Sequence, residues 1–377
     1  MGAAIPDDDA VLSALGLGTA GWKRIYGRAT SRGAPLALLA YQRDAAPPSI
    51  VVVEVHGAPP AADETARVVR HASVWLLARA FPDDPRLPGL AAVMAGPGER
   101  EVVRYRPQRR CTIRVRTGGE TWFAKVLASS VGAAMNHDAV ALWEAFAAGR
   151  LDFAVAEPGG FDAATSALWS RALPGVPVKP RVLSPEGLAI GERMGRALAT
   201  LHASGVEPAG VAAPHAAIGR AHSAGDDLAR RVPRLAGPVG AVLAEIDRRH
   251  REAPDRAKRP LHGAPHKGQW LADGDRLALV DFDRFGLGDP ESDLAVLEAE
   301  MDYEERAPEG FNAHVRAGYA AAGGAIDADL LAAYRAGGHL AAARRLARAT
   351  RPDAAERAAR AAARAVGELE GDPHGLS

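Results

Sequence analysis

Two side chains flanking position 275 have the types and spacing to hold a hard cation. Gln269 precedes, and Asp281 follows, the turn-former cluster Ala272-Asp273-Gly274-Asp275, whose Asp-Gly step signals a hairpin. Trp270 and Leu271 lead in; Leu277, Leu279 and Val280 lead out as a buried strand. Residues equidistant from an antiparallel turn face each other, so a turn centred near Asp275 sets Gln269 opposite Asp281. An amide oxygen beside a carboxylate suits Mg²⁺, which takes one or two protein oxygens and fills its shell with water and phosphate.

Residues 261–294 read LHGAPHKGQWLADGDRLALVDFDRFGLGDPESDL. The steps His262-Gly263, Asp281-Phe282 and Gly288-Asp289-Pro290-Glu291-Ser292-Asp293-Leu294 resemble the catalytic core of the aminoglycoside phosphotransferase family. That family reads His-Gly-Asp-x-x-x-x-Asn, a hairpin, Asp-Phe or Asp-Trp, then Gly-Asp-Pro-x-x-Asp-Leu. The resemblance spans roughly residues 101–370. It implies an α+β, protein-kinase-like fold of two lobes, one small and β-rich, one larger and helical. It implies phosphoryl transfer from ATP or GTP, with Mg²⁺, to a hydroxyl of a small molecule. It also implies that Asp289 and Asp293 brace the catalytic loop. Two positions depart from the pattern. Gln269 stands for the metal-binding Asn and keeps its chemistry with one more methylene. Ala264 stands for the catalytic Asp and cannot take the hydroxyl's proton. General-base catalysis is worth ~10²–10⁴ in rate, roughly 3–5 kcal/mol of barrier. His266, on the same loop, and Asp283, on the face of Asp281 if the strand continues, are the nearby substitutes. Two principal readings result: a phosphotransferase with an atypical catalytic loop, or a catalytically deficient nucleotide-binding pseudokinase with a regulatory or scaffold role.

The elements around this block fall into three segments. Residues 101–177 form the small lobe: a strand at 102–106, a loop at 107–110, strands at 111–116 and 121–127, and a turn between them. Lys125, in Phe-Ala-Lys-Val, resembles the family's phosphate-pairing lysine and shares a strand face with Phe123 and Leu127. The loop at 107–110 resembles the one lying over the phosphates. It is not glycine-rich, and Arg109 and Arg110 either meet phosphate oxygens or form a solvated basic turn. A helix at 136–149, capped by Asn136, carries Glu144, the candidate partner of Lys125. A strand ending in Leu173-Pro174-Gly175 resembles the hinge, with adenine against the backbone of Ser170, Arg171 and Ala172.

Residues 178–377 form the helical lobe. Its expected helices are 184–204 capped by Ser184, 226–250 broken at Pro233 and Pro238, and an Ala/Arg-rich run at 327–369 interrupted near 351–352. Residues 317–323 read as small and flexible. Glu298, Glu300, Asp302, Glu304 and Glu305 either line a site for a polycationic substrate, as family members can, or form a solvated face. Residues 1–100 read as an N-terminal α/β cap-like domain with strands at 35–41 and 50–56, a helix at 65–79 and a proline-rich connector.

The composition narrows the function classes. The 377 residues carry 46 basic and 46 acidic side chains, so no net field attracts nucleic acid or a membrane. A single cysteine, Cys111, rules out an internal disulfide and reads as a small buried strand residue. No apolar run approaches the ~20 residues of a membrane span. The acidic N-terminus lacks a signal-peptide pattern, and Pro6 makes a poor myristoylation match. The expectation is a cytoplasmic protein with a small-molecule partner.

Overall fold

The computed structural model describes residues 5–29, 35–44, 49–210, 216–348 and 353–371. The chain divides into two compact units: Met1–Asn136 with Pro158–Ala172, and His137–Glu157 with Leu173–Ser377.

The first unit holds two antiparallel five-stranded sheets. One comprises β1 (Trp22–Ala29), β2 (Ala37–Arg43), β3 (Ser49–His56), β4 (Arg67–His71) and β5 (Val74–Ala80), in the order β1-β2-β3-β5-β4. The other comprises β6 (Glu99–Arg106), β7 (Arg110–Thr117), β8 (Glu120–Leu127), β9 (Pro158–Asp162) and β10 (Ala167–Arg171), in the order β6-β7-β8-β10-β9. The strand period of two gives β2 and β3 two apolar faces. Leu39, Tyr41, Val53 and Val55 pack with Val11, Leu12 and Leu15, at helix α1 (Asp8–Ala14). Leu38, Ala40, Ile50 and Val52 share a core with Cys111, Ile113, Val115, Ala124 and Val126 of the second sheet. Burial pushes the Cys111 thiol up to about 12. Helix α2 (Leu90–Ala95) adds Leu90 and Val93 to that core.

The helix expected at 65–79 is instead the β4–β5 hairpin. Val68, Val69, Val74 and Leu76 fit a helical period, but a tight turn with Ala72 at φ 49 splits them. Pairing of β5 with β3 buries Leu76 and Ala78, and this tertiary pairing overrides the helical pattern. The described residues of the N-terminal segment are therefore mainly sheet, with two short helices.

Helix α3 (Gly132–Ala147) runs from the first unit into the second. It starts four residues earlier than expected. Asn136 lies inside it, with a buried Oδ1 that has no partner, and is not its cap. The second unit continues with β11 (Val176–Pro177), α4 (Lys179–Val182), α5 (Gly187–Ala203), α6 (Ala216–Arg231), α7 (Ala236–Glu252), β12 (Arg259–Leu261), β13 (Trp270–Asp273), β14 (Arg276–Leu279), β15 (Gly286–Gly288), α8 (Glu291–Met301), α9 (Phe311–Ala321), α10 (Ala328–Ala347) and α11 (Ala354–Glu370). Ser184 stays in the turn before α5, its hydroxyl accepting from the Glu186 N–H at 3.3 Å. Pro233 separates α6 from α7, while Pro238 sits in the first turn of α7, where its missing N–H costs nothing. Residues 317–321, expected to be a flexible stretch, belong to the helix α9. A Cβ on Gly318 would lie 1.9 Å from the Glu192 carbonyl oxygen, so its smallness lets α9 approach α5. Of the expected break near Arg351 and Pro352, residues 349–352 lie outside the described residues. Ile190, Met194, Leu198 and Leu201 of α5 share one core with Trp270, Leu279, Leu294 and Leu297, which seats hairpin and α8 together. No helix among the described residues is long and apolar enough to cross a membrane.

Candidate active site

The loop after β12 is held by one carboxylate. Asp293, fully buried in the first turn of α8, accepts the backbone N–H groups of His262 and Gly263 at 2.8 Å each. His202 reaches Asp293 at 3.3 Å through Nε2 and Tyr319 at 2.9 Å through Nδ1. Gly263 has φ +78, and a Cβ there would lie 2.5 Å from the Arg284 carbonyl oxygen, so only glycine fits. His262 accepts from the Ala264 N–H at Nδ1 (3.2 Å) and turns Nε2 to the Val280 carbonyl (3.0 Å). Burial pulls its pKa below the ordinary value and keeps it neutral. Asp289 acts elsewhere: it binds Lys258 Nζ and the Tyr334 hydroxyl, each at 2.7 Å, and fixes the approach to β12.

The hairpin register differs from expectation by one residue. Trp270 pairs with Leu279 and Asp273 with Arg276, so the turn is Gly274-Asp275. Gln269 therefore aligns with Val280, whose N–H donates to the Gln269 carbonyl at 3.0 Å. Asp281 lies past the ladder at φ 68, in the left-handed region. Its carboxylate nevertheless lies 3.1 Å from the Gln269 amide. Because the strand has ended, Asp283 lies in a turn and not on the strand face of Asp281.

His266 caps the short 3₁₀ turn Lys267–Gln269, accepting from the Gly268 N–H at Nδ1 (3.2 Å). With Nδ1 accepting, the neutral ring carries its proton on Nε2, 3.2 Å from the Gln269 amide. One amide atom thus faces a ring N–H on one side and a carboxylate on the other. The oxygen suits the ring, the nitrogen suits Asp281, and the two ends have the same shape. A hard cation shared by the amide oxygen and Asp281 satisfies both. Neighbouring ligand oxygens around Mg²⁺, at bonds of ~2.1 Å, lie roughly 3 Å apart. The pair fits such an ion. Through these contacts His266 orients Gln269.

Acids on and just beyond α8 are neutralised locally. Lys267, 4% exposed, puts Nζ 3.0 Å from Glu300 and 2.8 Å from Glu304, and its N–H donates to Glu300 at 2.9 Å. Fully buried Glu298 binds Arg316 at 2.5 Å and Arg335 at 2.7 Å. Arg335 also binds Asp302 at 2.8 Å and Glu368 at 2.6 Å. Neither alternative read from the sequence, a polycation site or a solvated face, describes Glu298 or Glu300. Lys267, the cation two residues before Gln269, neutralises Glu300 and Glu304, a pairing that sequence reading missed.

The remaining candidates lie mainly in the first unit. Lys125 is half-buried on the face of β8 opposite Ala124 and Val126. Arg109 is exposed and Arg110 half-buried around the β6–β7 turn. In β10, Ser170 pairs with Phe123 and Pro158, and the Ala172 N–H donates to the Thr121 carbonyl at 2.9 Å. Strand alternation then turns the backbone of Arg171 away from β8, beside Pro158 where β9 begins. The Arg171 side chain binds Glu120 and lies over Trp122 at 5.7 Å. Glu144 is exposed on α3 in the second unit, so its expected pairing with Lys125 would span the two units.

The sequence model of the phosphotransferase enzyme family matches residues 109–336, more than half of the chain. The chain belongs to this family. Within the phosphotransferase family the fold is that of solved small-molecule kinases. An amicoumacin kinase, hAmiN, in complex with AMP-PNP, Ca²⁺ and Ami, aligns with TM-score 0.55 and 11% identity, over 77% of this chain and 95% of that one. The GDP complex of an aminoglycoside 2'-phosphotransferase aligns with TM-score 0.51 and 14% identity, over 76% and 97%. The choline kinase LicA of Streptococcus pneumoniae aligns with TM-score 0.50 and 16% identity, over 74% and 96%. At these identities the likeness establishes the protein-kinase-like fold of this phosphotransferase family member. No curated protein sequence matches significantly.

Proposed function

We propose that this protein transfers the terminal phosphoryl group of ATP or GTP to a hydroxyl of a small molecule, with an atypical catalytic loop. The observation that carries the proposal is the Gln269–Asp281 pair, an amide and a carboxylate 3.1 Å apart beside an anchored loop. These two residues would hold the Mg²⁺, which neutralises phosphate charge. Lys125 would pair with the phosphates from β8, and Arg109 and Arg110 would add positive charge from the β6–β7 turn. Asp293 fixes the loop backbone, and His266 orients Gln269. Phosphoryl transfer draws its rate mainly from positioning and charge neutralisation, so loss of the base at 264 lowers the rate without removing the reaction's main supports. His266, on the same loop, and Asp283 are the groups that would take the acceptor's proton in place of a base at 264.

The alanine at 264 favours a second reading, a nucleotide-binding protein without transfer. A screen of hydroxyl compounds with ATP and Mg²⁺ separates the two. The first reading expects phosphorylated product, abolished by Asp281→Asn and strongly reduced by Asp283→Asn. No product from the native protein, with product appearing in Ala264→Asp, establishes the second. Absence of any melting-temperature shift with Mg-ATP in the native protein defeats both.

A further inference from the structure

The first sheet grips the turn between β6 and β7. Arg106-Pro107-Gln108-Arg109 is closed by the Arg109 N–H donating to the Arg106 carbonyl at 3.0 Å. Proline second and a left-handed third residue, Gln108 at φ 60, make it a type II turn. Glycine is the usual occupant of that third position, and a side chain there is strained. Gln108 is held in place from outside the turn. Its N–H donates to Asp84 Oδ2 at 2.7 Å, and its side-chain amide donates to Glu54 at 2.5 Å. Asp84 is 5% exposed and also accepts from the Tyr105 hydroxyl at 2.7 Å and, through Oδ1, from the Arg86 N–H at 3.0 Å. Glu54 Oε2 lies 2.9 Å from His56 Nε2. On the other side, the Arg109 carbonyl accepts from the Ala128 N–H at 3.0 Å. Glycine at 108 would relieve the backbone but could not reach Glu54.

We infer that Asp84 and Glu54 are positioning residues that preset the β6–β7 turn as a rigid cover for a nucleotide's phosphate chain. This gives the first hundred residues a role in nucleotide binding. The inference rests on the functional reading for the identity of the anion. Glycine-rich loops recognise phosphate by flexible backbone cradling; here a braced turn presents Arg109 and Arg110 in fixed geometry.

Asp84→Asn keeps the side chain's shape. Its NH₂ can take the place of Oδ2, which releases the Gln108 N–H, or of Oδ1, which leaves the Arg86 N–H without an acceptor, so Asp84→Ala, which removes both oxygens and releases Gln108 in either case, is the variant measured. Tyr105→Phe, which leaves the Asp84–Gln108 bond intact, is the control. Two measurements are made on the full chain: amide hydrogen exchange at Gln108 and Arg109 without nucleotide, and affinities for Mg-ATP and for adenosine. The expected result for Asp84→Ala is exchange at least tenfold faster, Mg-ATP affinity roughly tenfold weaker, and adenosine affinity unchanged. Tyr105→Phe should leave the ratio of the two affinities unaltered. Equal weakening of ATP and adenosine, unchanged ATP affinity despite faster exchange, or unchanged exchange each overturns the inference. A native protein that binds neither ligand but shows the exchange effect overturns the nucleotide reading while leaving the brace itself established.

Discussion

Replacing Asp293 by Asn exchanges one buried carboxylate oxygen for an NH₂ with almost no change of shape. The native carboxylate receives two backbone N–H groups at 2.8 Å, from His262 and Gly263. The amide oxygen can keep one of them. Its nitrogen then faces the other N–H, donor against donor, with no water to intervene because Asp293 is 0% exposed. Losing a hydrogen bond to a charged acceptor costs about 1.5–3 kcal/mol, and an unsatisfied buried donor about 1–3 kcal/mol more. The sum is roughly 2.5–6 kcal/mol, partly offset by removing a buried charge. Chemical denaturation at pH 7 reads the stability, and hydrogen exchange at His262 and Gly263 reads the loop. Tyr319→Phe loses only the 2.9 Å contact with His202 and should cost about 1 kcal/mol. If Asp293→Asn stays within ~1 kcal/mol of the native protein and its loop amides exchange no faster, the carboxylate is not what holds the loop.

Three further outcomes are expected. Burial raises the Glu368 carboxyl, but His339 and Arg335 outweigh it and bring it down to about 2 from an ordinary 4.5. A depressed carboxyl stabilises fully above the unfolded value and loses that contribution as pH falls towards the folded one. Glu368→Gln should therefore cost at most about 3 kcal/mol at pH 7, and the gap from the native protein should close between pH 4.5 and about 2; a constant gap contradicts the clamp. Lys267→Met strands Glu300 and Glu304 beside each other and should cost roughly 2 kcal/mol, recovered when both are changed to Gln; no recovery in the triple variant argues against charge pairing. With its thiol near 12 against an ordinary 9, Cys111 should react with iodoacetamide at pH 8 about a thousandfold more slowly than a free cysteine, and normally once unfolded; prompt labelling of the folded protein disproves its burial.

Much of the fold was legible because its signals are local. The period-two runs of β6 to β8, the Asp-Gly turn and the block 262–294 each act within a few residues; β7 and β8 lie within one residue of their expected bounds, and β6 begins three residues early. What sequence reading missed was decided at a distance. Val68, Val69, Val74 and Leu76 suit a helix until β3 offers β5 a partner. Asn136 has capping chemistry, but α3 begins at Gly132, where a Cβ would meet the Phe161 ring. The register slip arose because the two-residue turn is Gly274-Asp275, a difference invisible in composition. The engagement of His266 by Gly268 and Gln269 depends on a 3₁₀ turn that no periodicity announces. Lys267 looked like one more loop lysine because its partners, Glu300 and Glu304, lie more than thirty positions on.

The core shared by the two sheets carries a consequence for how the molecule can be divided. The family match begins at residue 109, inside the β6–β7 turn. A cut at that boundary would remove β6 and strip Leu38, Ala40, Ile50 and Val52 from Cys111, Ile113 and Val115, leaving one side of the remaining four strands bare to water. Such a fragment has an open apolar face and an exposed strand edge, the combination that drives sheets to associate. The segment matched by the family model is thus not expected to melt as a body of its own. The two sheets should unfold in a single cooperative step, and a shortened chain should precipitate where the full one stays dissolved.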